Sequence, residues 1–79
     1  MTASAAPVPR ADLYPAGSVK ARGFGLHGEL HGSWEWFRRD GSLMRSGEFA
    51  HGQQAGIWRT WDRAGGLIKE TSFPGTSET

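Results

Sequence analysis

Residues 17–40, GSVKARGFGLHGELHGSWEWFRRD, lie without a gap over residues 41–64, GSLMRSGEFAHGQQAGIWRTWDRA, so the chain is an internal repeat. Eight paired positions are identical: Gly17/Gly41, Ser18/Ser42, Gly23/Gly47, His27/His51, Gly28/Gly52, Gly32/Gly56, Trp34/Trp58 and Arg39/Arg63. Chance would give roughly two identities at an arbitrary offset in a chain this rich in glycine. A third, partial copy begins at residue 65, where Gly65, Leu67 and Phe73 match Gly41, Leu43 and Phe49. Leu13 and Tyr14 fall where the later copies carry Phe37 and Trp61, which admits half a unit ahead of the first copy.

Each copy has the composition of a β-hairpin. Ser33–Phe37 and Ile57–Trp61 are short, aromatic or β-branched, and bounded by glycine, which predicts strands. Asp40-Gly41 and Ala64-Gly65-Gly66 supply residues that tolerate a positive φ, as tight turns require. Return strands are predicted at Leu43–Phe49 and Leu67–Phe73. The His-Gly-(three residues)-Gly elements at 27–32 and 51–56 are expected to form a longer connection to the next hairpin. A two-residue Asp40-Gly41 turn sets Trp34 opposite Gly47 and Trp36 opposite Arg45; a type I turn with a bulge at Gly41 moves that pairing by one residue. In the first register an indole covers a strand glycine and an arginine stacks on the second ring. No segment has the capped 3.6-residue apolar period of a helix. Because the 24-residue offset is even, equivalent residues share a sheet face. Val19, Leu43 and Leu67 then form one row, Trp34 and Trp58 a second, Phe49 and Phe73 a third.

The expected fold is all-β: tandem hairpins in an elongated antiparallel meander of five or six strands. Residues 17–73 form the repeat domain (17–40, 41–64 and a partial 65–73), with flexible segments at 1–16 and 74–79. The 79 residues carry nine Lys and Arg against eight Asp and Glu, a formal charge of +1 that excludes a strongly basic nucleic-acid clamp or polybasic membrane patch. The absence of Cys removes disulfide staples and thiolate metal sites. No apolar run approaches the roughly 18 residues of a membrane span. Residues 1–10 do not read as a secretory signal, so a soluble, cytoplasmic protein is expected. Twelve glycines, four tryptophans and 37% apolar residues are also unlike a helical bundle.

The pattern resembles the MORN repeat, in particular its bacterial variant of about this length. A unit there reads roughly Gly-x-Trp and aromatics, a Gly turn, an aliphatic residue, Gly-x-aromatic, then His-Gly or Asn-Gly. The corresponding elements are Gly32, Trp34, Trp36/Phe37, Gly41, Leu43, Gly47, Phe49 and His51-Gly52, renewed at Gly56, Trp58, Trp61, Gly65, Leu67 and Phe73. The resemblance covers residues 17–73 and departs from the pattern at Thr60, in place of the second aromatic, and at Thr71, in place of glycine. It implies side-by-side hairpins used as an interaction surface; bacterial members are often labelled antitoxins of toxin–antitoxin pairs. The expected function is therefore a non-catalytic protein–protein interaction module that masks a partner in the manner of an antitoxin. The alternatives are a binder of single-stranded nucleic acid or carbohydrate and a self-assembling structural module. A single sheet of two or three hairpins leaves one face and both edges open. The chain is accordingly expected to complete its core against another protein, most simply a copy of itself.

The candidate contact residues are Trp36, Trp61, Phe37, Arg38, Arg45 and Arg59, because aromatic and arginine side chains dominate protein interfaces and also stack on bases or sugars. Trp34 and Trp58, at repeat-equivalent positions, are assigned to the core. The arginines, which also include Arg22, Arg39 and Arg63, are balanced by Glu29, Glu35, Asp40, Glu48 and Asp62. That balance disfavours a nucleic-acid platform. His27, His31 and His51, with Glu29, offer metal-ligand chemistry, but His27 and His51 are the repeat's own turn residues, so neither metal nor cofactor is assigned. The chain has no P-loop and no Gly-x-Ser-x-Gly elbow, and catalysis is not expected.

Overall fold

Glycine punctuation cuts the chain into short strands, and no stretch between is long enough to leave the sheet. The computed structural model describes residues 6–74. They form β1 (Val8–Leu13), β2 (Val19–Leu26), β3 (Glu29–Phe37), β4 (Leu43–Ala50), β5 (Gln53–Trp61) and β6 (Leu67–Phe73). All six pair antiparallel with their sequence neighbours in one meander, with no helix among the described residues. The principal extents are 47 × 29 × 12 Å. The shortest leaves room for one sheet and its side chains, since a second sheet needs roughly 10 Å more.

Two turn types alternate, one at each end of the sheet. His27-Gly28 and His51-Gly52 are two-residue turns with φ of 51° and 81°, and 51° and 82°, values that mark type I′ turns. Leu26 pairs with Glu29, and Ala50 with Gln53, directly across them. The expected long connections at 27–32 and 51–56 are therefore tight hairpins, and Gly32 and Gly56 lie within strands. The other end carries three loops spaced by the repeat. Tyr14, Arg38 and Asp62 donate their N–H to the carbonyls of Ser18, Ser42 and Gly66, and Gly17, Gly41 and Gly65 donate back to Tyr14, Arg38 and Asp62. Each loop thus has three central residues rather than two, with the glycine at φ near 90–100°. This displaces the register by one, so that Phe37 faces Leu43, but an irregularity in the next step restores it and Trp36 faces Arg45. Trp34 accordingly faces Gly47, although the turn differs from the one that predicts this pairing.

The second irregularity builds the core. Between the pairs Phe24–His31 and Arg22–Glu35, β2 contributes Gly23 alone while β3 contributes Gly32, Ser33 and Trp34. Between Glu48–Ala55 and Ser46–Arg59, Gly47 likewise stands against Gly56, Ile57 and Trp58. Gly32 and Gly56 take φ of 79° and 69°, which a side chain there would resist. The bulge folds each indole back over the preceding strand. A Cβ on Gly23 would overlap the Trp34 ring, and one on Gly47 the Trp58 ring. The indole covering a glycine is therefore as expected, but the glycine under Trp34 is Gly23, not its register partner Gly47. Trp34 Nε1–H donates to Phe24 O at 2.9 Å, and Trp58 Nε1–H to Glu48 O at 3.2 Å. The two indoles are 4% and 7% exposed and, with Ala21 and Ala55, form the buried apolar core of the described residues.

The sheet begins at Val8, well before the boundary expected at residue 17, because β1 supplies the half-unit that Leu13 and Tyr14 hint at. Residues 1–5 and 75–79, at the ends of the segments expected to be flexible, lie outside the described residues.

Gly47→Ala should lower stability by about 2–3 kcal/mol, because the new methyl must displace a packed indole. Gly25→Ala should cost under about 1 kcal/mol, since its Cβ crowds only the flexible Arg10 side chain and makes an ordinary contact with Glu29 O at 3.6 Å; urea unfolding followed by tryptophan fluorescence reads both. The Asp40 carboxylate accepts hydrogen bonds from Ser42 Oγ–H at 2.6 Å and Ser42 N–H at 2.9 Å. These hold its pKa below the ordinary 3.8. Its contribution is fully present above that value and is lost as pH falls through the lower folded-state pKa. Asp40→Asn should flatten the loss of stability below pH 3.8, as followed by urea midpoints across an acid titration.

Candidate interaction surfaces

Alternation along the strands divides the expected contact residues between two faces. Trp36 and Arg45 lie on the face of Trp34, Phe49, Trp58 and Phe73, while Phe37, Arg59 and Trp61 lie on the other. They do not form one site.

On the first face the aromatic rings make a continuous band. Trp36 packs between Trp34 and Trp58, with ring centroids 6.0 and 5.2 Å away. Phe49 meets Trp34 and Trp58 edge-on at 6.4 and 5.2 Å, and Phe73 meets Trp58 at 6.1 Å. Such geometry aligns a ring's positive edge with its neighbour's negative face. The Phe49 and Phe73 row is thus repeated against equivalent indoles. Trp36 is half-buried, so only part of its surface is open to a partner. Arg45 is exposed and forms no ion pair among the described residues. The guanidiniums seated on rings are instead Arg22 on Phe37 at 5.1 Å and Arg39 on Tyr14 at 5.5 Å.

The opposite face carries a groove of about 690 Å³ running across β1 to β5. Its floor crosses the Gly23 and Gly47 backbone, and Phe24, Ile57, Pro9 and Ala11 supply its apolar surface. Phe24 is 39% and Ile57 46% exposed. Arg22 Nε bonds Glu35 Oε1 at 2.9 Å along the same groove. Sequence patterning does not single out this groove, because Phe24 and Ile57 are not repeat-equivalent and line it from β2 and β5, with β3 and β4 between them.

Four of the expected contact residues are tied into the sheet, by backbone or side chain. Arg38 donates from a terminal guanidinium nitrogen to Trp61 O at 2.7 Å, and Tyr14 Oη–H donates to Phe37 O at 2.8 Å. These bonds are repeat-equivalent: residues 14 and 38 occupy one position and residues 37 and 61 another, with a phenol serving in one copy and a guanidinium in the next. Each joins the loop of one hairpin to the end of the following one. Arg59 Nε pairs with Glu70 Oε2 at 2.7 Å. Trp61 is half-buried, with its backbone carbonyl taken by Arg38.

At the opposite end the His51-Gly52 turn rests on β3. Gly52 N–H donates to Leu30 O at 2.9 Å, and the His31 and His51 rings are 5.2 Å apart. His51 Nδ1 lies 3.9 Å from Glu29 Oε1. Both side chains of this pair are largely exposed, and no group of three His, Asp or Glu among the described residues is placed to hold a metal ion.

If Arg38 is a lateral tie, Arg38→Met should lower stability by about 2 kcal/mol, and Tyr14→Phe by about 1 kcal/mol, through loss of one charged and one neutral hydrogen bond. Denaturant unfolding measures both, and unchanged midpoints would return Arg38 to the set of free contact residues. No family model, no curated protein and no solved structure matches this chain, so any function must be argued from its surfaces.

Proposed function

We propose that this chain is a non-catalytic, MORN-like protein-binding module that acts in the manner of an antitoxin, by covering the surface of another protein. The observation that carries this is the groove on a one-layer sheet. Phe24 and Ile57 are exposed over a glycine floor in a volume of about 690 Å³, while only four of the described residues make up the buried apolar core. Exposed apolar surface of this kind, rimmed by polar side chains, is characteristic of interaction sites. Masking requires no chemistry from the module, only shape and apolar area.

The state of the arginines favours a protein over a nucleic acid. Arg22 and Arg59 are paired with carboxylates, and Arg38 bonds a backbone carbonyl. Three of the cations that would contact phosphate are therefore engaged, on a chain of net charge +1.

Capture from a lysate of the native host, with the chain as bait and mass spectrometry as readout, tests this function. A single protein should be retained from about 50 to 500 mM salt, because apolar contacts lack the steep salt dependence of phosphate binding. The double variant Phe24→Glu/Ile57→Lys should lose that protein while keeping its far-UV circular dichroism. If the captured protein is a toxin, co-expression of the wild-type chain should relieve its growth arrest and the double variant should not. Recovery of nucleic acid alone, released by salt, would replace protein binding with the nucleic-acid alternative.

A further inference from the structure

The two edges of the sheet are built differently. Tyr14 N–H points across to Ser18 O, so alternation along β1 turns the nitrogens of Pro9 and Pro7 to the outer edge. Neither can donate there, which guards β1 against another strand. β6, Leu67–Phe73, is the one strand with neither glycine nor proline. It is equivalent to β4, in which Glu48 and Ser46 pair with Ala55 and Arg59 of β5. The matching Ser72 and Glu70 N–H groups of β6 therefore point to the outer edge of the described sheet, where Pro74, just past the strand, takes the place of Ala50.

Thr71 restricts what can pair with that edge. It occupies the position of Gly23 and Gly47, over which the next strand of the repeat folds its indole and where a Cβ would overlap that ring. A further Trp-bearing repeat strand cannot dock on β6; a regular strand without a bulge can. Within this chain β6 itself is such a strand.

We propose that β6 is a self-pairing edge, joining two copies antiparallel about a two-fold axis at Thr71 so that their sheets become one. The charges disfavour two neighbouring registers. An axis at Glu70 would set Glu70 against Glu70 of the second copy, and one at Lys69 would set lysine against lysine, both unfavourable. An axis at Thr71 pairs threonine with threonine, Glu70 with Ser72 and Lys69 with Phe73. Lys69, Thr71 and Phe73 share the aromatic face beside Trp58, so each lysine stem covers the end of the other copy's aromatic band. The proline-guarded β1 edges then stop growth at two copies. This pairing deepens the protein-binding function but uses an edge rather than the groove, so each can fail without the other.

The chain has no cysteine, so an introduced thiol reports only its own position. Sedimentation of the wild-type chain at about 100 μM, where even a micromolar contact is populated, should give twice the chain mass. Thr71→Cys should oxidise to a covalent dimer, and Ala11→Cys on β1 should not. Ser72→Pro removes an outward donor without removing a bond within the sheet, and should sediment as a monomer with unchanged tryptophan fluorescence. If that variant does not fold, the two cysteine variants still decide the matter. A monomeric wild type, cross-linking through Ala11→Cys in place of Thr71→Cys, or a folded Ser72→Pro that remains dimeric would overturn the proposal. None of these results depends on the Phe24/Ile57 capture experiment.

Discussion

An indole folded back over a glycine, with its N–H held by a carbonyl of the glycine's own strand, is the contact on which the sheet depends. It requires several features at once: a glycine without a Cβ beneath the ring, a second glycine at positive φ to start the bulge, and two extra residues in the bulged strand. Two extra residues, rather than one, preserve the alternation, so the same face remains aromatic on both sides of the bulge. The hydrogen bond from Nε1 satisfies a polar group that burial would otherwise leave unpaired. Because these features recur after 24 residues, the sheet repeats one locking step rather than building a single central core.

That construction explains why the surface is so open. Each lock shelters one indole and little else, and a 12 Å slab has no second layer to cover what remains. The lateral ties from Tyr14 to Phe37 and from Arg38 to Trp61 hold the loop ends together without covering either face. Residue 62, the next position in that series, is aspartate, which offers a carboxylate where the others offer a donor. Rigid backbone spacing combined with uncovered apolar side chains suits a binding surface, because little further ordering is required when a partner arrives.

Much of this was legible in the repeat. Equivalent residues had to share a face, so the matched environments of Trp34 and Trp58, the row of Phe49 and Phe73, and the loop glycines at 17, 41 and 65 followed from the even offset. The repeat did not reveal which neighbour an indole would cover, since Gly23 and Gly47 flank Trp34 on opposite sides and pattern alone treats them alike. It also concealed β1, where Arg10 stands at the tryptophan position and two prolines mimic a linker. The length of the histidine turns is hidden in the sequence because Gly32 and Gly56 resemble loop punctuation, whereas their positive φ serves a bulge inside a strand. The groove was invisible for a related reason: it is lined by residues that differ between copies.

The departures from the repeat are where individuality resides. A perfect array would carry glycine at 71 and tryptophan at 10, and either edge would then accept the next unit without discrimination. Threonine at 71 closes β6 to a bulged, indole-bearing strand while leaving its backbone donors free, and the prolines remove donors from the outer side of β1. The same logic applies across the faces. Positions that lock the sheet are identical between copies, whereas Phe24 against Glu48, and Ser33 against Ile57, differ and give the groove its asymmetric apolar lining. A repeated scaffold fixes where the backbone runs, and the positions released from locking it are free to specify what it binds.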